Sequence, residues 1–249
     1  MYEPFSVRSF RFQWPADLMA SWAFEMETII LGWYVLTITD SVLVLTIFAS
    51  MQWLGTLIAP YLGVLGDRWG RRTMLCLLRA SYLTTSIITM SLALTDTLNA
   101  SIILGISFVI GLVRPSDLVM RNGLIGDTML GNVLMKAMGV SRTTMDSARI
   151  AGALLGASLF SLLGIGFAYV AVTLFYVISF LLTFGVSSVR TQTGRENVII
   201  NRSPFTDLKE GLCYVWKTPT LLAAMCFAFL VNLTVFPVSH GILPFVAKE

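Results

Sequence analysis

Residues 63–72 read Gly63-Val64-Leu65-Gly66-Asp67-Arg68-Trp69-Gly70-Arg71-Arg72. This stretch places four formally charged side chains between two long apolar runs of the sequence. Charged groups in that number are too costly to bury in hydrocarbon, whereas the flanking runs are long enough to cross it. We therefore predict a tight aqueous loop at residues 63–72 that joins two membrane-spanning helices.

The composition of the whole chain indicates an integral membrane protein. Of 249 residues, 56% are hydrophobic and only 12% are charged, which is outside the range of soluble domains. A spanning helix needs roughly 20 apolar residues, so this length accommodates about seven. Apolar runs bounded by charge, Gly, Pro or Asn predict helices near residues 17–38, 42–65, 73–94, 99–121, 132–163, 167–187 and 219–241. The fifth run is too long for one crossing, so its first turns are expected to extend into water.

The basic residues are distributed unevenly between the predicted loops. If the N-terminus is cytoplasmic, nearly all lysines and arginines fall on the inner side, and the outer side keeps only Lys248. The opposite loops, near Asp40, near Asp96 and around residues 164–166, contain no base. Cytoplasmic loops carry the excess of Lys and Arg, so we predict a multi-pass protein of the plasma or inner membrane with its N-terminus inside. The net charge of +3 then reflects topology rather than a nucleic-acid surface.

The longest polar segment follows the six predicted helices of residues 1–187. Within this linker, residues 188–218, the part from 207 to 217 places apolar side chains on one helical face, which predicts an amphipathic helix on the inner surface. The apolar run within residues 219–249 predicts a seventh spanning helix that begins a second bundle.

The stretch at residues 63–72 also resembles the loop motif between the second and third helices of the major facilitator superfamily, G-x-L-x-D-R-x-G-R-[RK]. Seven residues occupy their expected places in this motif: Gly63, Leu65, Asp67, Arg68, Gly70, Arg71 and Arg72. The match is specific because it combines seven residues with the expected position between two helices.

Two further regions resemble an exporter-like branch of this superfamily. Its Pro-Ala-Arg-x-x-x-x-x-Asp pattern is similar to the set Pro115, Arg121, Asp127 and Asn132. Gly152 and Gly156 lie where its fifth helix carries a glycine-rich motif, although Ala153 stands where that motif normally has a proline.

The resemblance implies an all-α membrane fold: a six-helix N-terminal bundle plus the seventh helix of an incomplete C-terminal bundle. The family has twelve helices, so roughly five would be missing, and the chain resembles a fragment whose C-terminal half belongs to the same polypeptide or a second chain. The implied function is secondary active transport of a small molecule by alternating access, with the motif at residues 63–72 as an inner gate. A non-transporting membrane scaffold, or a half-transporter that needs a partner chain, is the alternative.

Ionisable residues recur inside three predicted helices, where they are costly and usually functional. Glu25 and Glu27 interrupt the first helix and point about 200° apart around it, so only one can face a central cavity squarely. The fourth and fifth helices each carry a base-acid-base ladder on one face, Arg114, Asp117 and Arg121 in the fourth and Arg142, Asp146 and Arg149 in the fifth.

These residues form the predicted proton-coupling or substrate site: Glu25, Glu27, Arg114, Asp117, Asp146 and Arg149. We expect Glu25 or Glu27 to pair with Arg114 or Arg149 in one state and to be released or protonated in another. A carboxylate held near bases stays ionised, whereas one stranded in an apolar cavity takes up a proton. This difference suits coupling to a proton gradient, with no cofactor. For Arg121, Asp127 and Arg142 we favour a structural role at the inner rim.

The remaining residues favour structural roles over catalysis. Gly152 and Gly156 form a small-residue stripe for close helix packing. Aromatic residues such as Trp33 and Trp53 either line a cavity for an apolar substrate or anchor helix ends at the interface. The three cysteines and the single histidine, His240, have no spacing typical of a metal or catalytic site. The sequence therefore predicts neither an enzyme nor a metal centre.

Overall fold

The computed structural model describes residues 3–129, 131–186 and 213–237, which are mostly helical and contain no strand. A short 3-10 helix at Glu3–Ser6 precedes the first helix, and a second one, Leu54–Leu57, lies between α2 and α3. The α-helices are α1 (Arg8–Thr39), α2 (Val42–Met51), α3 (Ala59–Trp69), α4 (Arg71–Leu94), α5 (Ala100–Thr128), α6 (Gly131–Thr183) and α7 (Pro219–Pro237). The predicted all-α class is confirmed.

Helices α1–α6 belong to one compact unit, and α7 belongs to another. Among the described residues, α4, α5 and α6 are each long and apolar enough to cross a membrane. The core of the first unit lies where α1, α4, α5 and α6 meet, around fully buried side chains such as Ile30, Ile103 and Tyr169. Large apolar side chains such as Leu162 and Ile150 are exposed on the outside, as expected for a surface that faces lipid.

Turn residues define one end of the bundle. Asp40, with φ 45, caps α1, and Asp96, with φ 54, follows α4; aspartate tolerates this left-handed region better than most residues. The side chain of Asn99 then caps α5 by accepting from the backbone N–H of Ile102 at 3.0 Å. The predicted breaks near Asp40 and Asp96 are therefore present.

The prediction of one continuous helix at residues 42–65 is wrong. In the structure α2 ends at Met51, a 3-10 turn follows, and α3 begins at Ala59. At this break the backbone approaches α5 so closely that a Cβ on Gly55 or Gly111 would overlap backbone atoms of the other segment. Glycines permit such contact because they carry no side chain. The interruption thus lets the chain pack backbone against backbone.

The predicted loop at residues 63–72 is also wrong in extent. Residues 63–69 are the last turns of α3, and Gly70 alone separates α3 from α4. Gly70 has φ +91, a conformation that glycine adopts without the strain of a Cβ. The charges of the motif therefore lie on helix ends instead of in an open loop. We call this side of the molecule the Gly70 end.

Helix α6 changes direction at Gly164, whose φ of 74 is not helical. Its early part runs along α1, as shown by the bond from Trp14 Nε1 to Thr144 Oγ1 at 2.9 Å, and its late part returns along α1, as shown by the bond from Ser179 Oγ to Ala16 O at 2.8 Å. The predicted separation of residues 132–163 from residues 167–187 is present at this glycine.

The remaining boundaries differ in detail or lie beyond the described part of the chain. Helix α1 begins at Arg8, well before the predicted start at residue 17, and α7 begins at Pro219, where a helix was predicted. Of the predicted amphipathic helix at 207–217, only residues 213–217 are described, and they are helical with Tyr214 and Trp216 exposed. The rest of the linker and residues 238–249 lie outside the described residues.

Candidate functional site

Two acids and two bases meet in the interior of the bundle. Asp17 comes from α1, Arg79 from α4, and Asp117 and Arg121 from α5, and all four are buried. Arg79 donates to Asp17, and its Nε lies 3.8 Å from Asp117 Oδ1. Arg121 reaches Asp117 Oδ2 at 2.6 Å and Asp17 Oδ1 at 3.5 Å. We call these residues the buried ion quartet; their formal charges cancel.

Neutral groups add hydrogen bonds to the buried ion quartet, although Arg79 Nε, Asp117 Oδ1 and Arg121 Nε have no hydrogen-bond partner among the residues that the structure describes. Arg79 Nη1 donates to Thr183 Oγ1 of α6 at 2.6 Å, and Arg121 Nη1 donates to Ser21 Oγ of α1 at 3.0 Å. The amide of Gln13 donates to the carbonyl of Arg121 at 3.0 Å. Buried ions are tolerated only when they are paired and hydrogen-bonded. The quartet therefore ties α1, α4, α5 and α6 together.

Sequence reasoning found half of this quartet. The four-residue spacing of Asp117 and Arg121 already indicated one ladder, although Arg121 is buried and not at the rim. Asp17 and Arg79 were not predicted as site residues, because both lie near the cationic ends of their helices and Arg79 was grouped with the topology-setting bases. The available signal was an isolated arginine more than two turns inside an apolar helix.

Glu27 lies in a second buried polar site of the bundle. Its two carboxylate oxygens accept the hydroxyls of Tyr169 at 2.9 Å and Tyr176 at 2.8 Å, both from the late part of α6. Glu27 is 3% exposed and forms no ion pair with any residue in the described part of the chain. The ring of Tyr176 stacks on Tyr82 with centroids 5.6 Å apart. This carboxylate is therefore held by neutral donors alone.

Glu25 lies in a different environment, although it is only two residues away. Its Oε1 is 3.5 Å from Arg114 Nη2, and both side chains remain partly exposed, at 18% and 27%. The Arg114 guanidinium also lies over the ring of Phe24, 3.3 Å from its centroid, and 5.5 Å from that of Trp53. The structure thus brings together the predicted pair of Glu25 and Arg114, and it places Glu27 with tyrosines instead.

The ladder of α6 lies on an exposed surface. Arg142 Nε is 3.3 Å from Asp146 Oδ2, with both side chains at least half exposed. Arg149, two turns beyond Arg142, is also exposed and lies one turn before Gly152, at which α6 approaches Glu25 of α1 closely. The structure therefore assembles Glu25, Arg114 and Arg149 on one side of the bundle, whereas Asp117 belongs to the buried ion quartet.

The motif at residues 63–72 holds helix ends together at the Gly70 end. Arg71 Nη1 donates to the carbonyl of Gly123 at 2.8 Å and lies 3.2 Å from Asp127 Oδ1. Arg72 donates to the carbonyl of Phe184 at 2.8 Å, just after α6. Arginines suit this task because helix C-termini present unpaired carbonyls and partial negative charge.

The other members of the motif pack closely or are not described. Leu65 packs against the apolar cluster that includes Leu75 and Met120, and a Cβ on Gly66 would overlap Met120. Gly63 lies near Val119 with no such conflict. Arg68 is exposed on the last turn of α3, and the side chain of Asp67 lies outside the described residues.

Gly152 and Gly156 face α1 at very short range. A Cβ on Gly152 would lie 3.0 Å from the Cβ of Glu25, and a Cβ on Gly156 would lie 2.8 Å from the Cα of Met26. Both distances are shorter than ordinary van der Waals contact, so α1 and α6 approach each other along this stripe as only small residues permit.

A cleft of about 360 Å³ opens further along the same α1–α6 seam. Its wall is mainly apolar and consists of Ile29, Trp33, Ala157, Ser158, Phe160 and Ser161. Trp33 is 60% exposed, although a side chain of this kind is usually buried or at an interface. The cleft thus continues the surface that carries Glu25 and Arg149.

Comparison with known proteins identifies the family. The sequence matches the family described as "Transmembrane secretion effector", a branch of the major facilitator superfamily, over residues 1–249. The chain belongs to this family. No curated protein matches the sequence. The predicted resemblance to the major facilitator superfamily is confirmed, and the Transmembrane secretion effector family supports a membrane transporter or secretion effector.

Membership in the Transmembrane secretion effector family accounts for the general character of the site. Transporters of this superfamily move small-molecule substrates within a lipid bilayer and are generally not enzymes. A transporter needs polar groups inside the bundle and helix ends that can open and close. The described bundle contains buried charged groups of α1, α4 and α5 and arginine contacts between helix ends at the Gly70 end.

Proposed function

We propose that this protein is a secondary active transporter that exports a small molecule by alternating access in exchange for protons. The observation that carries the proposal is the contrast between Glu25 and Glu27. One carboxylate is partly exposed and pairs with a cation at 3.5 Å, and the other is buried and held only by two tyrosine hydroxyls. Two acids in different environments can separate substrate binding from proton binding.

Glu27 is the proton-binding group in this proposal. An ionised carboxylate without a cationic partner is expensive to bury, and two hydroxyl donors offset only part of that cost. A small change in the packing of α6 against α1 would remove Tyr169 or Tyr176 from Glu27 and favour the protonated form. Proton uptake and release at Glu27 would then accompany the relative movement of the helices that surround it.

The arginines of the 63–72 motif form the inner gate. Arg71 and Arg72 connect the start of α4 to the ends of α5 and α6 through two backbone carbonyls and Asp127. We place this end in the cytoplasm because the basic residues of the sequence concentrate there. The N-terminus is then cytoplasmic, in the plasma or inner membrane.

A second helical bundle completes the pathway. The surface with Arg149, Asp146 and the α1–α6 cleft is exposed in the described unit, and charged groups at membrane depth face protein or water rather than lipid. A second bundle, covalently linked or supplied by another chain, would cover this surface and form the opposite wall of the transport pathway.

The test is pH-driven flux in vesicles that contain the protein together with a second bundle. The probes are three radiolabelled naphthalene derivatives with one apolar body: 1-naphthaleneacetate, 1-naphthaleneacetamide and 2-(1-naphthyl)ethylammonium. Because the acid and the amine also redistribute passively across a pH gradient, accumulation of any of them above the level in protein-free vesicles supports transport. Glu27→Gln should reduce gradient-driven accumulation at least about tenfold, equivalent to ~1.4 kcal/mol of lost driving force. Exchange of the probe across the membrane in the absence of a pH gradient should remain as in wild type.

Glu3→Gln is the matched control for this substitution. Glu3 lies in the short 3-10 helix before α1, and the hydrogen bond from Lys136 at 2.6 Å lowers the pKa of its carboxyl. Its replacement should leave the pH dependence of accumulation unchanged. Equal flux in wild type and Glu27→Gln would refute the coupling role.

The alternative is a membrane scaffold that does not transport. It predicts no accumulation of any probe above the level in protein-free vesicles, with or without a second bundle. A half-transporter predicts flux only when the second bundle is present. Comparing the chain alone with the supplemented vesicles therefore separates the three possibilities.

A further inference from the structure

The exposed side of α1 and α6 carries charged residues and an apolar cleft that lie along one line. Glu25, Ile29 and Trp33 follow one another at four-residue intervals on α1, so they share one side of the helix. On α6, Arg149 and Phe160 are eleven residues apart, which places them within about 20° around the axis. A charged region and an apolar cleft are therefore continuous on this surface.

The charged region has a surplus of positive charge. Its members are two carboxylates and three guanidinium groups: Glu25, Asp146, Arg114, Arg142 and Arg149. Arg142 and Asp146 pair with each other, so Glu25 alone remains to balance Arg114 and Arg149. The 3.5 Å separation of Glu25 from Arg114 is longer than a charge-assisted hydrogen bond of about 2.7–2.9 Å. One anionic group is thus missing from a balanced site.

The distance between the two regions sets the size of a ligand. Along α1, Ile29 and Trp33 lie about 6 and 12 Å from Glu25, from a rise of about 1.5 Å per residue. An apolar body in the cleft would therefore carry its charged group roughly 6–12 Å away. That separation matches an aromatic ring system with a short acidic arm.

We propose that this surface binds an amphipathic organic acid, with its apolar body in the cleft and its carboxylate between Arg114 and Arg149. The ring of Trp33 and the side chains of Ile29 and Phe160, which line the cleft, cover the body. The ligand carboxylate replaces Glu25 as the partner of Arg114. This inference rests on the proposed transport function and assigns it a substrate class.

Equilibrium binding to the full chain in detergent, at fixed pH and without a gradient, tests the assignment. The probes are again 1-naphthaleneacetate, the neutral amide and the ammonium compound, which share one naphthalene body. The acid should bind at least about tenfold more tightly than the other two, because only the acid gains a charge-assisted bond. Equal binding of all three probes, tighter binding of the ammonium compound, or no binding of the acid would overturn the proposal.

Variants then separate binding from folding. Arg114→Gln and Arg149→Gln should each weaken binding of the acid about tenfold, whereas Lys136→Gln, which replaces an exposed cation of the same helix that pairs with Glu3, should not. Glu25→Gln should strengthen binding of the acid, because it removes the competing carboxylate. Arg114→Lys keeps the charge and should lose less than Arg114→Gln. Weaker binding by Glu25→Gln, or equal losses in Lys136→Gln and Arg149→Gln, would contradict this site.

The outcome is distinguishable from that of the transport proposal. Selective binding of the acid without flux in vesicles would support the proposed binding site and refute the proposed transport function. Accumulation of the amide or the ammonium compound in preference to the acid would support the proposed transport function and refute the proposed binding site.

Discussion

Replacement of Arg79 by methionine tests whether the buried ion quartet is held together by charge balance. Arg79 is 1% exposed and contacts both Asp17 and Asp117. Without it, two buried carboxylates share Arg121 as their only cation within the quartet. Removing one partner of a buried ion pair costs about 3–5 kcal/mol. The folding equilibrium constant should therefore fall by roughly two to four orders of magnitude.

A second substitution should restore much of this loss. Asp17→Asn in the Arg79→Met background leaves Asp117 and Arg121, which already form a direct pair at 2.6 Å, and the quartet is neutral again. Residues in one ion-pair network couple by about 0.5–3 kcal/mol. The double variant should thus be more stable than the sum of the two single changes predicts, by about 2 kcal/mol.

The measurement is reversible unfolding in mixed detergent micelles, followed by tryptophan fluorescence and far-ultraviolet circular dichroism. Arg142→Met is the control, because that arginine forms an exposed pair with Asp146 and should cost no more than about 0.5 kcal/mol. If Arg79→Met costs as little as the control, or the double variant shows additive losses, charge balance does not stabilise the quartet.

Two further predictions concern helix packing. Gly156→Ala should destabilise the bundle by about 1–3 kcal/mol, because the added methyl group overpacks against Met26. Gly105→Ala is the control and should not destabilise it, because a Cβ there would meet nothing within 4 Å. Unfolding in micelles compares the two variants, and equal effects would argue against the close α1–α6 contact. Arg71→Met removes the hydrogen bonds to Gly123 and Asp127. Amide hydrogen exchange near the end of α5 should therefore accelerate. An exchange rate unchanged from wild type would show that Arg71 does not stabilise the end of α5.

The failures of sequence-based prediction occurred where tertiary contact changes local structure. Residues 42–65 have a continuous apolar pattern, yet the backbone contact between Gly55 and Gly111 interrupts the helix. The charges of residues 63–72 coincide with the boundary between α3 and α4, but α3 continues to Trp69 because one glycine suffices for the reversal. In both cases the sequence pattern is compatible with two local structures, and packing selects between them.

The sequence by itself determined the membrane class, the breaks near Asp40, Asp96 and Gly164, and the superfamily, because hydropathy, turn chemistry and a contiguous motif are local properties. Only the tertiary structure decided the partners of the buried ions. Arg79 meets Asp17 across 62 positions of the sequence, and Glu27 meets Tyr169 and Tyr176 across 142 and 149. Whether a carboxylate pairs with a cation or a hydroxyl depends on which helix faces meet, and that is fixed only when the bundle packs.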